Sequence, residues 1–314
     1  MRIPAATDVQ KAYNLIKPFV HQTPILTCNS INQICGVELF FKCENFQKVG
    51  AFKYRGATNA VLSLSDEQKK NGVATHSSGN HAAALALAAK KNNVVAHIVM
   101  PDNAPEIKKK AVAGYGAQIT FCEPTLKARE STLLEVIAKT GATMVHPYNQ
   151  WEVICGQGTA SLELMHQTEG IDTIITPVGG GGLLAGTATY IKDIFPSVKV
   201  IAAEPLMADD AYRSFYKGEL IPVVNPNTIA DGLRTSLGTL NFNIIKNKVD
   251  NIYTVSEDSI INAMRLIWER MKIIIEPSSA VPLGAIIENK EIFKNKKVAL
   301  IISGGNVDLT SLPF

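Results

Sequence analysis

Apolar positions along this chain follow two periods in turn. Short apolar runs of strand length occur at residues 37–43, 73–77, 94–100, 118–122, 143–146, 173–178, 199–204, 251–255 and 297–303. Between most of them apolar residues recur at helical spacing, over 53–64, 80–91, 106–113, about 129–139, 158–168, 183–194 and 258–271. Two capping boxes sharpen the pattern. Thr7-x-x-Gln10 precedes Ala12, Tyr13, Ile16 and Phe19, which predicts an amphipathic first helix. Ser65-x-x-Gln68 opens a short helix that Asn71-Gly72 stops. Continuous apolar strands alternating with helices predict parallel sheets covered on both faces. The expected fold class is α/β, with two open, mainly parallel lobes and a cleft between them. Residues 1–70 and 150–314 would form the larger lobe and 71–149 a smaller, inserted one.

Composition narrows the function. The chain has 314 residues, 46% hydrophobic and 19% charged, ordinary for a globular protein with a large core. A net charge of +3 with no basic run beyond Lys108-Lys109-Lys110 gives no sign of nucleic acid, and that run reads as a solvated helix face. No apolar stretch has the length of a membrane span, and Met1 to Gln10 lacks the apolar core of a signal peptide. The five cysteines, at 28, 35, 43, 122 and 155, are odd in number and form no Cys-x-x-Cys pair. They read as reduced cysteines of a cytoplasmic protein.

Three polar, glycine-rich turns fall where strands end, which is where open α/β sheets collect ligands. They are Ser77-Ser78-Gly79-Asn80-His81, then Gly179-Gly180-Gly181-Gly182, then Ser303-Gly304-Gly305-Asn306. Four glycines opening a helix bare their amides toward an anion, which suits a phosphate monoester. The spacing does not fit Gly-x-Gly-x-x-Gly, since Leu184 stands where the third glycine would be. A lysine between two aromatics, Lys53 between Phe52 and Tyr54, completes the set. Desolvation lowers a lysine pKa and makes its amine a nucleophile. A cofactor with an aldehyde for the lysine and a phosphate for the glycines would use both ends, and pyridoxal 5′-phosphate is such a molecule.

With these motifs in this order, the sequence resembles the serine racemase and serine/threonine dehydratase family of fold type II pyridoxal-phosphate enzymes, with a tryptophan synthase beta-like fold. The match runs through Glu44-Asn45-Phe46-Gln47, Gly50-Ala51-Phe52-Lys53-Tyr54-Arg55-Gly56-Ala57, the serine turn, Tyr115-Gly116-Ala117, Gly156-Gln157-Gly158-Thr159, the four glycines, Ile229-Ala230-Asp231-Gly232 and Ser303-Gly304-Gly305-Asn306-Val307-Asp308.

The resemblance implies roles. Lys53 would hold the cofactor and act as base on one face of the substrate. Phe52 would pack by the ring, Asn80 would bond its phenolic oxygen, the four glycines would hold the phosphate and Ser303 would meet the pyridine nitrogen. Ser78 would be the second acid/base on the opposite face, although from its place alone it reads rather as a helix cap. Ser77, His81 and Arg129 would contact substrate, with His76 close by. Glu204, Ala208 and Asp210 would bind Mg²⁺, or Ca²⁺ or Mn²⁺. The substrate would be a small amino acid and the assembly a homodimer. Three features depart from animal racemases of the family: Tyr148, Ala83, and the run of Cys28, Asn29, Ser30 with Val49. Activation by ATP is therefore not implied. The expected activity is serine racemisation with serine/threonine dehydration. Its alternatives are 3-hydroxyaspartate dehydratase, aspartate racemase and, from other classes, a nicotinamide-dependent oxidoreductase or a non-catalytic binding protein.

Overall fold

The structure, a computed structural model, describes residues 3–104 and 106–314. Among them are ten strands: β1 (Ile25–Leu26), β2 (Glu38–Cys43), β3 (Val73–His76), β4 (Ala96–Pro101), β5 (Gln118–Cys122), β6 (Thr143–Met144), β7 (Thr173–Pro177), β8 (Lys199–Pro205), β9 (Asn251–Val255) and β10 (Lys297–Ile302). They form two sheets. One has six strands in the order β1-β2-β10-β7-β8-β9, the other four in the order β5-β4-β3-β6. Every ladder is parallel except β1 with β2.

The central strands have no polar face. In β10, Ala299 and Ile301 enter one core with the helices Trp151–Gln167 and Gly182–Ile194. Val298, Leu300 and Ile302 enter another with the helices Glu257–Leu266 and Pro277–Glu288. The alternation of successive side chains thus feeds two cores from one strand, which is why its sequence reads as a continuous apolar run. Each Val, Leu or Ile side chain among them contributes roughly 1.5–3 kcal/mol by burial.

Three helices approach one another through glycines. A Cβ on Gly156 would stand 2.6 Å from Gly56 Cα, and one on Gly158 would stand 2.7 Å from Gly186 O. The helix Trp151–Gln167 is thereby pressed against the helix Lys53–Leu62 on one side and Gly182–Ile194 on the other.

Some boundaries differ from expectation. The first helix spans Ala6–Ile16, because Asp8 rather than Gln10 closes the start: Ala5 N donates to Asp8 Oδ2 at 3.1 Å. The Ser65/Gln68 box forms as expected, with bonds of 2.8 and 3.2 Å. The helix Trp151–Gln167 begins seven residues before 158, since Gly156 and Gly158 serve close packing instead of breaking it. After Glu257–Leu266 the chain widens into a π turn, Ile267–Met271. The helices Asn29–Cys35, Asp210–Lys217, Thr239–Lys248 and Pro277–Glu288 lie outside the sequence pattern described above.

Candidate active site

The three polar turns follow β3, β7 and β10, each at the strand's carboxyl end. Backbone pairing ties the last of them to the lysine stretch. Phe52 N donates to Ser303 O at 2.9 Å, Gly305 N donates to Gly50 O at 2.9 Å, and Ala51 bridges Gly304. Residues from opposite ends of the chain are thus held in one place.

These elements enclose a cavity of about 260 Å³. Phe52, Lys53, Ser77, Ser78, Asn80, His81, Arg129, the four glycines and Ser303 all line it, as does His76. Lys53 begins its helix, and its Nζ donates to Pro147 O at 2.7 Å. That nitrogen lies 5.2 Å from the Phe52 ring centre and 5.9 Å from that of Tyr148. Burial pushes the Lys53 pKa down to about 8, against the pull of Glu276. The share of unprotonated amine at neutral pH rises accordingly, while the ammonium still predominates.

Gly181 has φ +90°, a left-handed conformation that favours glycine, and it caps the helix Gly182–Ile194. Among the described residues, the amides of residues 179–182 donate to no protein group. Bare amides at the positive end of a thirteen-residue helix make an anion cradle. Packing also demands glycine here: a Cβ on Gly180 would stand 2.4 Å from the Tyr148 ring.

Asn80 is held from three sides. Its Nδ2 donates to both carboxylate oxygens of Glu276, at 3.0 and 3.1 Å, and its Oδ1 accepts from Asn306 Nδ2 at 2.9 Å. Asn306 N in turn donates to Glu276 at 3.2 Å. Burial raises the Glu276 pKa to about 7, opposed by these bonds. Ser303 Oγ lies 2.9 Å from Ser279 Oγ.

Ser78 does not cap the following helix. The cap position is Gly79, whose N–H goes to Ser77 Oγ at 3.3 Å. The Ser78 hydroxyl lines the cavity without a protein partner among the described residues. Arg129 donates only to its own helix, to Thr125 O at 3.4 Å, and forms no ion pair among the described residues. His76 is held neutral by burial and then by Arg129. Lys108, partly exposed, also meets Asp231 at 2.8 Å, joining the helix Glu106–Gly114 to the turn Asp231–Leu233. Both residues line the cavity and also a second one, of about 400 Å³, behind Asn80.

Glu204 and Asp210 lie together with Ala208, all fully buried. Glu204 accepts from Ala211 N at 3.0 Å and Tyr212 N at 2.8 Å, and Asp210 Oδ2 from Leu237 N at 3.0 Å. Asp210 Oδ1 has no partner. Burial and then Asp210 raise the Glu204 pKa, and burial raises that of Asp210 to about 6. Among the described residues no group of three or more His, Cys, Asp or Glu could hold a metal ion.

Sequence reasoning passed over Glu276, Ser279 and the Lys108–Asp231 bridge. Asp231 did stand in a quoted motif. Glu276 opens a helix at Glu-Pro, with no pattern to mark it as a partner of Asn80.

A profile described as "Pyridoxal-phosphate dependent enzyme" matches residues 16–304. The chain belongs to the pyridoxal-phosphate-dependent enzymes. It is 53% identical to a serine racemase of Dictyostelium discoideum over 97% of this chain and 95% of that protein. The crystal structure of that racemase superposes with a TM-score of 0.93, covering 97% of this chain and 99% of the other. A beta-hydroxyaspartate dehydratase of Paracoccus denitrificans is 50% identical over the whole of both chains. The crystal structure of a T.th. threonine deaminase is 40% identical with a TM-score of 0.94, over 98% of this chain and 100% of that one. Family membership removes the nicotinamide alternative. No helix of the described residues is long and apolar enough to cross a membrane.

Proposed function

We propose that this enzyme racemises serine and dehydrates serine and threonine to 2-oxoacids and ammonia. The observation that carries the reading is the shared cavity of Lys53 and Ser78, an amine of lowered pKa and a hydroxyl with no protein partner. Pyridoxal phosphate, when bound, supplies an aldehyde for the lysine and a ring that draws electrons from the substrate's α-carbon. The bare amides of residues 179–182 suit its phosphate, Asn80 its phenolic oxygen, Phe52 its face and Ser303 its ring nitrogen. In this reading Lys53 removes the α-proton from one side. Ser78 returns a proton on the other side to give D-serine; loss of the β-hydroxyl instead leads to the oxoacid. Ser77 and His81 bind substrate from the same turn. Residues 71–149 would then form a lobe of their own, carrying Ser78 and Arg129 across the cleft from Lys53.

Glu204, Asp210 and the Ala208 carbonyl are read as the site of Mg²⁺ or a similar hard ion. Two buried carboxylates that form no ion pair among the described residues, one with an unmet oxygen, fit that donor chemistry. A homodimer in a reducing compartment completes the reading, the latter supported by five free cysteines.

A second reading, 3-hydroxyaspartate dehydratase, is favoured by Arg129. It lines the cavity, forms no ion pair among the described residues and would meet a side-chain carboxylate, that of aspartate included. Product analysis decides. The cofactor-loaded enzyme is given L-serine, L-threonine or 3-hydroxyaspartate with Mg²⁺, and oxoacid and D-amino acid are measured together. D-serine and pyruvate from serine support the first reading. Turnover of 3-hydroxyaspartate alone replaces it with the second.

A further inference from the structure

His81 carries a polar atom that the protein leaves unmet. It is the second residue of the helix Asn80–Lys91 and is 2% exposed. Its Nε2 lies 3.1 Å from Val145 O. A carbonyl only accepts, so Nε2 carries the proton. The ring stays neutral, because burial and then the Lys53 charge push its pKa down to about 3, with His146 and His76 adding to the effect. Nδ1 is therefore a bare lone pair, closed to solvent and without a partner. Several buried side-chain atoms among the described residues lack a partner, but of these only His81 Nδ1 belongs to a residue lining the cavity.

The donor on offer is Lys53. One stretch of backbone anchors both side chains: Val145 O takes the His81 N–H, and Pro147 O, two residues on, takes a Lys53 N–H at 2.7 Å. An ammonium has three N–H groups, and the carbonyl meets one. Glu276 acts on Lys53 through its field, while its oxygens are engaged by Asn80 and Asn306.

We propose that His81 Nδ1 is the second acceptor for the Lys53 ammonium: here Nζ rests on Pro147 O without bonding Nδ1, and it turns to Nδ1 when the lysine is off the cofactor and carries the substrate's proton. The inference rests on Lys53 being the cofactor-bearing residue. Its consequence is a division of labour. A ring so hard to protonate does not take the proton from Lys53, so it holds the ammonium in place and leaves the proton available for return. His81 is then a positioning residue for Lys53.

Two substitutions separate this role from a structural one. His81→Leu removes both the N–H for Val145 O and the acceptor; His81→Asn also loses the Val145 bond but returns an acceptor near Nδ1, so the difference between the two isolates the acceptor. The readout is adduct formation between apoenzyme and pyridoxal phosphate across pH, whose midpoint reports the Lys53 ammonium. An acceptor stabilises the charged form and raises the pKa, so removing it lowers the midpoint. We expect a fall of about one pH unit in His81→Leu, the size of one hydrogen bond to a charged group, and recovery in His81→Asn. Glu276, His146, His76 and Tyr148 also face this region and are the same in all three proteins. An unchanged midpoint in His81→Leu, or equal shifts in both variants, overturns the proposal. If the variants do not fold, the ¹⁵N signal of His81 Nδ1 in wild-type apoenzyme must follow the Lys53 titration and lose that step in Lys53→Met; a flat signal overturns it. Borohydride trapping and peptide mapping of the wild type test the foundation separately. An adduct away from Lys53 removes the lysine assignment and this inference with it, whereas an adduct at Lys53 with an unmoved midpoint removes the inference alone.

Discussion

Arg55 and Glu163 meet through two N–H···O bonds of 2.8 Å at a place water does not reach. The other side of the guanidinium holds Glu44, at 2.7 and 2.8 Å, and Lys42 joins Glu163 at 2.8 Å. Two cations and two anions thus neutralise one another directly behind the lysine helix. Burial alone would push the Glu44 carboxyl up, but Arg55 and Lys42 hold it below its usual range. Burial lowers the pKa of Lys42.

Removing one member leaves a buried charge without its partner. Glu163→Gln is expected to destabilise by roughly 3–5 kcal/mol, read as a lower denaturation midpoint. Changing the whole quartet to apolar residues of similar volume would cost far less. A loss under about 1 kcal/mol in Glu163→Gln would show that the charges are solvated after all.

Lys53→Ala should abolish turnover of every substrate and the borohydride-stable adduct with it. Ser78→Ala should split the activities. D-serine formation from L-serine is expected to fall by about 10²–10⁴-fold, the usual weight of a general acid, while pyruvate falls much less. Equal losses of both products would move Ser78 from proton donor to substrate contact.

Gly156→Ala places a methyl 2.6 Å from backbone that has no side chain to move. A cost of roughly 1–3 kcal/mol in stability is expected, together with weaker binding of pyridoxal phosphate, since the lysine helix must shift. Fluorescence titration of apoenzyme with the cofactor reads the second effect. Unchanged affinity with lowered stability would mean that the helices separate without moving Lys53.

Glu204 and Asp210 give a pH signature. Both pKa values are raised in the folded protein. Without metal, the stability they allow is fully present below their unfolded values, at roughly pH 4, and declines as pH rises, for Asp210 up to about pH 6. A divalent ion reverses this by taking the charge, so protons and ion compete. Mg²⁺ should therefore raise the melting temperature more near neutral pH than at about pH 5, and chelation should undo the gain. Glu204→Gln should abolish the Mg²⁺ effect.

Much of this architecture is legible in the sequence. The parallel sheets follow from apolar runs such as 173–178 and 297–303, and the cavity from three polar turns that each close a strand. What stays hidden depends on partners far apart in the chain. Arg55 looks like any helix arginine until Glu163, 108 positions on, is brought to it. Lys108 sits in a basic run that reads as solvated and stays partly exposed, and its bridge to Asp231 shows only in the fold. The helix Pro277–Glu288 has almost no polar face, because it is buried on nearly every side, so no amphipathic period announces it. Glycine at 156 and 158 suggests a break in a place where two neighbouring helices need room.

Those glycine contacts also have a metrical meaning. Lys53 and the phosphate-type loop begin two different helices, and both helices rest on the one between them through bare backbone. Backbone atoms stand nearest at Gly156 and Gly186, and the Gln157 side chain in the first contact is buried and tied to Gly56 N, which leaves little slack. The span between amine and anion cradle is thus gauged by main-chain thickness, as by a fixed spacer, and it changes only if a helix moves as a body. Ser78, His76 and Arg129 lie outside that gauge, on the segments around β3 and β5. They can be exchanged for other residues while the distance a cofactor must bridge stays the same.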